Sequence, residues 1–287
     1  MLALRIGLVL SGGFAKGAYQ IGALRAMSEF VPIEDIKYIS AASIGAINAY
    51  AYITGNLDLA EEMWKGICGD QSKRFITKIM RSAYLQDSIM KLGESGSQIS
   101  IPFYCTLLDI KKRSLLYKDV SAVPNSKMGQ YLRAAIALPP YNSSVTIDDT
   151  SYFDGGLVDN IPVSPLAECD LDYIICMYFD DTNYRFENIA FDNKIVKITF
   201  PATTMVAHSF FVTPERIEEM IHAGYELTML KLSGIFYKGY DNLPHIYHAI
   251  AANNQFATNE NSLRLTTDVV ITNLNKITQK LTKRKIL

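Results

Sequence analysis

The strongest constraint on the fold is a short, wholly apolar run near the amino terminus, Ile6 to Leu10, that leads directly into glycines. A strand without polar alternation has both faces buried, which is typical of the interior of a parallel sheet. A helical pattern from about Gly17 to Phe30 follows, and a second apolar run, Ile36 to Ala42, comes next. This strand–helix–strand order predicts right-handed crossovers and an α/β domain.

Later apolar runs continue the alternation along most of the chain. Helical spacing predicts helices over Ala46 to Ile53, Leu57 to Ile67 and Pro214 to Leu232. Further strands are expected at Ile101 to Leu108, Ser114 to Lys118, Tyr152 to Phe153, Tyr173 to Tyr178 and Ile195 to Phe200. A stretch rich in glycine and serine, Gly93 to Ser97, indicates a mobile loop.

Composition and charge narrow the class of protein. The 287 residues are 49% hydrophobic and 20% charged, which excludes wholesale disorder. With 28 basic and 29 acidic residues the net charge is −1, so no nucleic-acid partner is expected. The four cysteines are far apart and form no C-x-x-C pair, which favours thiols in a reducing compartment over disulfides or a zinc site. The cysteines thus give no reason to expect a metal, and we expect no other cofactor.

The amino-terminal apolar run is interpreted as part of the fold, because it lacks the basic segment and cleavage site of a leader. The longest apolar stretch, Ile44 to Ile53, is too short to span a bilayer. We therefore expect a cytoplasmic protein with no signal peptide or transmembrane segment. The sequence does not indicate an oligomeric state.

A turn of small residues at Ser43 is the first candidate for chemistry. It joins the second strand to a helix and has the context of the nucleophile elbow G-x-S-x-G, with Ala41 at the first glycine position and Gly45 at the second. A serine held there faces the amides and the positive dipole end of the helix, which would stabilise an alkoxide. The alternative is that Ser43 only caps the helix.

A glycine-rich loop, Ser11 to Gly17, is the second candidate. It exposes several backbone amides in one concavity suited to an anion. The dinucleotide pattern G-x-G-x-x-G fails, because Phe14 occupies the middle glycine position and no acidic residue ends the second strand. The oxyanion of an acyl transfer is the anion that would also need Ser43. An ordinary glycine-rich turn is the alternative.

Asp154 is the third candidate, at the end of a short strand and before Gly155 and Gly156. A serine hydroxyl is a weak nucleophile until a base within about 2.6–3.2 Å removes its proton. A carboxylate whose pKa is raised by desolvation can be that base. The alternative is an Asp-Gly turn, which is common in proteins. Asp159 is interpreted as a structural residue.

Taken in order, these motifs resemble the patatin-like phospholipase family. The glycine loop supplies Gly12, Gly13, Lys16 and Gly17, the serine turn supplies Ser43 and Gly45, and the third motif supplies Asp154, Gly155 and Gly156. The segments Ala18 to Gly22 and Arg133 to Pro140 also look familial. The resemblance covers about residues 5 to 180 and continues more weakly to about Leu232.

The resemblance implies a three-layer α/β/α hydrolase fold with a mostly parallel central sheet over residues 1–232. Residues 233–287 carry no familial signature, and we expect them to form a helical extension. The resemblance implies that Ser43 is the nucleophile and Asp154 the general base of a dyad without a metal. The implied oxyanion hole consists of the amides of Gly12, Gly13, Phe14 and Ala15. Lys16 and the glycines at 17, 45, 155 and 156 would support it. The implied activity is hydrolysis of acyl esters of phospholipids or other lipids through an acyl-enzyme.

Three alternatives stay open. The order Ser43, Asp154, His208 also fits the triad of α/β-hydrolases. Phe14 restricts φ at a position where a glycine is expected, which keeps a catalytically silent lipid-binding or scaffolding protein in view. A nucleotide-binding protein is the weakest of the three.

Two segments are candidates for peripheral contact with a membrane. Lys73 to Leu92 places basic residues among apolar ones at helical spacing, which fits an interfacial helix or, more simply, a helix that covers the core. Residues 270–287 form an amphipathic pattern with a basic end that could dock on anionic headgroups. His245 and His248 fit a metal pair on one helical face, although two packing histidines are the simpler interpretation.

Overall fold

The computed structural model describes residues 4–69, 74–96, 98–139, 141–179, 185–186, 192–201, 211–255 and 262–263. The strands are β1 (Ile6–Leu10), β2 (Ile36–Ala41), β3 (Arg74–Phe75), β4 (Phe103–Asp109), β5 (Ser114–Asp119), β6 (Val145–Ile147), β7 (Thr150–Asp154), β8 (Tyr173–Phe179), β9 (Arg185–Phe186), β10 (Ile195–Phe200), β11 (Phe211–Val212) and β12 (Ser262–Leu263). The α-helices are α1 (Gly17–Ser28), α2 (Ile44–Ile53), α3 (Leu57–Gly66), α4 (Ile76–Met80), α5 (Ala83–Ser95), α6 (Asn125–Ala135), α7 (Pro214–Ile235) and α8 (Leu243–Gln255). Short 3-10 turns lie at Phe14–Lys16, Ile33–Asp35, Gly155–Leu157 and Ser164–Leu166.

The central sheet has eight strands in the order β10-β8-β1-β2-β4-β7-β6, with β5 paired to β4. The five strands from β10 to β4 are parallel, whereas β5 and β7 run antiparallel to β4, and β6 antiparallel to β7. Strand β1 lies between β8 and β2, and all five of its residues are buried, as its apolar run predicts. The predicted mostly parallel α/β sheet flanked by helices is confirmed.

The two faces of the sheet are covered unequally in the described part of the chain. The larger core joins one face to the helices and includes Leu8 of β1, Leu24 of α1 and Trp64 of α3. The smaller core lies on the other face, where Val9 and Tyr178 pack against the segment 161–171 and its short 3-10 turn. The loops that follow β1 and β2 are therefore set between a thick helical layer and a thin one.

The edge of β4 decides where the ends of two other strands meet. Along residues 104–109 one edge of β4 pairs with β5. On the remaining edge, β2 pairs in parallel up to Cys105 and β7 pairs antiparallel from Leu107. Strands β2 and β7 thus approach the middle of β4 from opposite directions, and their carboxyl ends, Ala41 and Asp154, converge on either side of Thr106.

Two local predictions are wrong. The segment Lys73 to Leu92 is not one helix, because α4 ends at Met80 and Ser82 caps a new helix, its Oγ accepting from the Leu85 amide at 3.2 Å. Its apolar residues Ile79, Met80 and Ile89 are buried, so the core interpretation is confirmed for the described part, while Ala83 is exposed and residue 73 lies outside the described residues.

The expected loop at Gly93 to Ser97 is also mistaken, since α5 continues to Ser95. Gly93 lies against α6, where a Cβ would come within 2.4 Å of the Gly129 amide nitrogen. The two glycines therefore mark a close helix crossing and not a flexible connection. Helix α6 and strand β6 have no counterpart among the elements expected from the sequence.

The described residues cover only part of the carboxyl-terminal region. Helix α8 adds Ile246 and Ile250 to the larger core, and the division of the chain at residue 232 stays a prediction. The amphipathic segment 270–287 and His208 lie outside the described residues. None of the helices in the described ranges combines the length and the apolar character needed to cross a bilayer. None of the four cysteines forms a disulfide.

Candidate active site

Ser43 lies in a strained turn between β2 and α2. Its backbone has φ 53° and ψ −132°, values that a non-glycine residue adopts only when the surrounding structure holds it there. Helix α2 begins at the next residue, yet the Ser43 side chain makes no capping hydrogen bond to it. The interpretation of Ser43 as a simple helix cap is therefore wrong. Its side chain instead lies near Asp154, since a Cβ on Gly156 would be 3.5 Å from the Ser43 Cβ and 3.0 Å from Asp154 Oδ1.

Gly45 explains how α2 can start so close to β1. A Cβ at this position would come within 2.6 Å of the Ser11 carbonyl oxygen and 2.7 Å of the Leu10 carbonyl oxygen. No rotation of a side chain relieves a clash with backbone atoms, so only glycine fits. The turn thus keeps its second glycine while the first position of the elbow pattern tolerates Ala41, which is buried.

Asp154 ends β7 and is almost fully enclosed, with 1% of its surface exposed. Its Oδ1 accepts a hydrogen bond from the Gly156 amide at 2.7 Å, and its own amide donates to the Ala137 carbonyl at 2.8 Å. Burial raises the pKa of the Asp154 carboxyl to about 7, and the nearby Ser43 hydroxyl and the Gly156 amide oppose that rise. A carboxyl with this pKa can accept and release a proton near neutrality.

Asn160 fastens the glycine loop to the segment that follows Asp154. Its carbonyl accepts from the Gly12 amide at 3.2 Å, and its side-chain Nδ2 donates to the Gly12 carbonyl at 3.1 Å. A Cβ on Gly12 would lie 2.7 Å from the Ser43 Cβ, so the loop passes directly over the serine. Sequence reasoning did not single out Asn160, because nothing in its local pattern distinguishes it from an ordinary loop asparagine.

The rest of the loop presents its amides without internal acceptors. Among the described residues, the amides of Gly13, Phe14 and Ala15 donate to no acceptor, whereas the Lys16 amide donates to the Gly13 carbonyl at 3.1 Å. The Lys16 ammonium lies 5.5 Å from the centroid of the Phe179 ring, so this cation anchors the loop against β8.

Phe14 occupies the left-handed conformation that its position requires. Its φ is 51°, which glycine would adopt freely and which costs a phenylalanine on the order of 1–3 kcal/mol. Its ring meets the Tyr141 ring edge to face at a centroid distance of 6.3 Å. The loop therefore keeps a glycine-like backbone although a glycine is missing.

A buried polar network holds the loop and three helices together. Gln20 Nε2 donates to the Ser11 carbonyl at 2.8 Å. Asn48 Nδ2 donates to Gln20 Oε1 and to the Gly17 carbonyl, both at 2.9 Å, and its Oδ1 accepts from Trp64 Nε1 at 3.1 Å. These contacts join α1, α2 and α3 beneath the site. They combine residues far apart in sequence, which is why sequence reasoning missed them.

Replacing Asn48 by alanine is expected to destabilise the protein by about 2–4 kcal/mol, because three buried partners lose their hydrogen bonds at once. Asn56→Ala is the matched control, since among the described residues that half-buried side chain bonds only to Thr54, and its loss should cost less than about 1 kcal/mol. Urea denaturation of both variants measures the difference. Equal losses of unfolding free energy in the two variants would show that the buried network does not stabilise the protein more than a local hydrogen bond.

A small apolar cavity adjoins Ser43. Its lining includes Phe14, Ala15, Trp64, Met80 and Ile136, and its volume of about 10 Å³ leaves room for roughly one water molecule.

Asp159, which was also considered from the sequence, has a different partner. Asp159 accepts from the Tyr117 hydroxyl at 2.7 Å, as a structural residue does.

Neither His245 nor His248 belongs to a metal-ligand cluster within the described part of the chain. The His245 ring packs instead on the Tyr237 ring, with 4.4 Å between the ring centroids. This contact agrees with the interpretation of His245 as a packing residue.

Comparison with known proteins identifies the family. The family model for patatin-like phospholipases matches residues 8–167, which include the glycine loop, Ser43 and Asp154. The chain belongs to the patatin-like phospholipase family. Within this family, an uncharacterized NTE family protein of Mycobacterium tuberculosis (strain H37Rv) is 24% identical over 181 residues, covering 60% of this chain and 48% of that protein.

Fungal relatives are of similar identity. The lysophospholipase NTE1 of Cryptococcus neoformans (strain JEC21) is 27% identical over 207 residues, which are 63% of this chain and 12% of that protein. This member of the family thus spans about half the length of the mycobacterial relatives and a small part of the fungal ones.

Two solved structures are also similar. VipD of Legionella pneumophila matches 88% of this chain and 74% of its own, with 15% identity and a TM-score of 0.47. The type III effector ExoU of Pseudomonas aeruginosa matches 81% of this chain and 53% of its own, with 16% identity and a TM-score of 0.44. At these scores neither structure adds to the family assignment.

Proposed function

We propose that this patatin-like protein is a lipid acyl hydrolase in which Ser43 is the nucleophile and Asp154 the general base. The observation that carries the proposal is the closeness of the two residues, which lie within 3.5 Å and 3.0 Å of the same Cβ position on Gly156, in a site where burial raises the pKa of Asp154 to about 7. A serine needs such a base, and a carboxylate this basic is suited to the task.

The proposed reaction has two halves. In the first, Asp154 takes the Ser43 proton while Oγ attacks the acyl carbon, and the carbonyl electron pair moves onto oxygen. Collapse of this intermediate breaks the ester bond, and the leaving alcohol takes the proton from Asp154. In the second, Asp154 takes a proton from water as the water oxygen attacks the acyl-enzyme, and that proton returns to Ser43 when the fatty acid leaves.

The oxyanion would be held by the amides of Gly13, Phe14 and Ala15. The Gly12 amide is left out of this set, although the motif includes it, because it already donates to Asn160. Each well-placed donor is worth about 3–4 kcal/mol of transition-state stabilisation. The strained backbone at Phe14 supports this assignment, since it turns the following amides away from internal acceptors.

The surroundings of Ser43 suit an acyl lipid as the substrate. Its neighbouring cavity is apolar, which suits an acyl chain, although it must widen to admit one. The fungal relatives carry the name lysophospholipase, and we extend that substrate class to this chain. Peripheral membrane contact and a cytoplasmic location stay predictions.

A fluorophosphonate probe tests the assignment directly. This reagent phosphonylates serines that are activated as nucleophiles, so we expect one modification, at Ser43, identified by mass spectrometry of the digested protein. Labelling should disappear in Asp154→Asn and persist in Asp159→Asn, a second carboxylate with a raised pKa whose side chain bonds to Tyr117. An unlabelled Ser43 in the folded wild type would favour the catalytically silent alternative.

A further inference from the structure

A second pocket, of about 400 Å³, lies next to the site and has a different character. It is lined by the end of α4, by α5 and α6, and by the loop before β6. Two arginines, Arg81 and Arg133, contribute to its wall, together with the hydroxyl residues Ser143 and Ser144. No aspartate or glutamate belongs to the described lining, so the pocket carries positive charge.

The two arginines are held in place from different elements. Arg133, on α6, donates from Nε to Gln86 Oε1 of α5 at 2.8 Å. Arg81 donates from Nε to the Tyr141 carbonyl. Because Arg133 is fixed through Nε, its guanidinium can direct its terminal nitrogens to a separate acceptor, and Arg81 adds a second positive charge to the same pocket. Arginine side chains held in this way form the bidentate contacts that phosphate oxygens prefer.

The cationic pocket shares a wall with the apolar cavity beside Ser43. Met80 lines the cavity and the next residue, Arg81, lines the pocket; likewise Ile136 lines the cavity and Ala137 the pocket. The Ala137 carbonyl also accepts from the Asp154 amide at 2.8 Å. The apolar cavity beside Ser43 and the cationic pocket are therefore neighbours, as the contact between Phe14 of the cavity and Tyr141 of the pocket also indicates.

We propose that the Arg81–Arg133 pocket binds a phosphate group, and that this is the phosphate of the lipid whose acyl ester lies at Ser43. This inference rests on the proposed hydrolase function and extends it, because it makes a phosphate-bearing lipid the preferred substrate over a neutral glyceride. The pocket volume suits a polar headgroup, and the lining hydroxyls add donors for its oxygens.

The test compares two esters with the same short acyl chain, a lysophosphatidylcholine and a monoacylglycerol, both below their critical micelle concentrations. Arg133→Gln and the double variant with Arg81→Gln should lower kcat/KM for the lysophospholipid by roughly 10- to 100-fold, the loss expected for charged hydrogen bonds. Hydrolysis of the glyceride should change less than about twofold, which also reports that the fold and the dyad are intact. Arg133→Lys keeps the positive charge but loses the two parallel donors of the guanidinium. Its kcat/KM for the lysophospholipid should lie between those of the wild type and Arg133→Gln.

Arg216→Gln is the matched control, since this exposed arginine pairs with Glu219 on α7 and does not line the pocket. An equal loss on both esters in the Arg133 variants, or no loss on either, would overturn the proposal. Inorganic phosphate separates the two sources of the anion. If inorganic phosphate inhibits hydrolysis of the lysophospholipid alone, the pocket binds the phosphate of the substrate. If it affects both esters equally, the pocket is an effector site, and the proposal is overturned.

A binding measurement separates failure of this subsite from failure of the hydrolase assignment. Calorimetry of the lysophospholipid with Ser43→Ala, alone and combined with Arg133→Gln, needs no turnover. Weaker binding in the combined variant supports the subsite even if the wild type hydrolyses neither ester, and in that case only the hydrolase proposal fails. Equal binding by the two proteins overturns the subsite.

Discussion

Ser43→Ala is expected to lower kcat/KM for ester hydrolysis by about 10⁴-fold or more, because removal of an attacking hydroxyl leaves only binding and oxyanion stabilisation. The fold should be retained. The Ser43 side chain caps no helix, and Gly156 still donates to the Asp154 carboxylate when the hydroxyl is gone. A circular dichroism spectrum and a thermal midpoint close to those of the wild type would establish this.

The chain offers a matched control three residues earlier. Ser40 is buried on β2, and its Oγ has no hydrogen-bond partner among the described residues. Ser40→Ala removes the same atom from a similar depth, so activity should be unchanged and stability equal or slightly higher. Comparable activity in Ser43→Ala and Ser40→Ala would exclude Ser43 as the nucleophile.

Asp154→Asn is expected to have two opposite effects, a loss of activity of about 10⁴-fold and a gain in stability. The amide cannot take the Ser43 proton, which accounts for the loss. The gain follows because burial raises the pKa of the Asp154 carboxyl from 3.8 to about 7. Holding this group ionised in the folded protein costs on the order of 4 kcal/mol, a cost that asparagine does not carry.

The pH dependence gives the sign of both effects. Between about pH 4 and pH 7 the folded state holds a proton on Asp154 that the unfolded state has released, so the free energy of unfolding falls as pH rises. The stability advantage of Asp154→Asn should therefore be full above about pH 7 and absent below about pH 4. Wild-type kcat/KM should rise with pH through a midpoint near 7, as the carboxylate forms.

Urea denaturation of both proteins at several pH values measures the stability difference, and initial rates over the same range measure the activity. Asp159→Asn is the comparison variant, because the half-buried Asp159 also has a raised pKa but bonds to Tyr117 and the Ile161 amide. Its activity should stay close to that of the wild type. A pH-independent wild-type rate between about pH 5 and pH 9 would contradict the role of Asp154 as the base.

Much of the fold was predictable because its determinants are local. The apolar run at Ile6 to Leu10 requires burial on both faces, and the glycines after it require a tight loop. The small residues around Ser43 permit a strand and a helix to meet, and Gly45 fits a place where a Cβ would strike backbone. Side-chain size and backbone freedom act within a few residues, so the sequence alone determined these elements and their order.

The way in which distant segments of the chain come together at the site depends on long-range packing. Asp154 lies beside Ser43 because β7 runs antiparallel along the edge of β4 that β2 leaves vacant, and no local pattern specifies that pairing. Burial produced by that packing, not the residue type, raises the pKa of Asp154. The hydrogen bond from Asn160 to the Gly12 carbonyl joins two separate segments, and the pocket lined by Arg81 and Arg133 likewise combines residues from separate segments. Long-range packing sets distance and desolvation, and these are the quantities on which the chemistry depends.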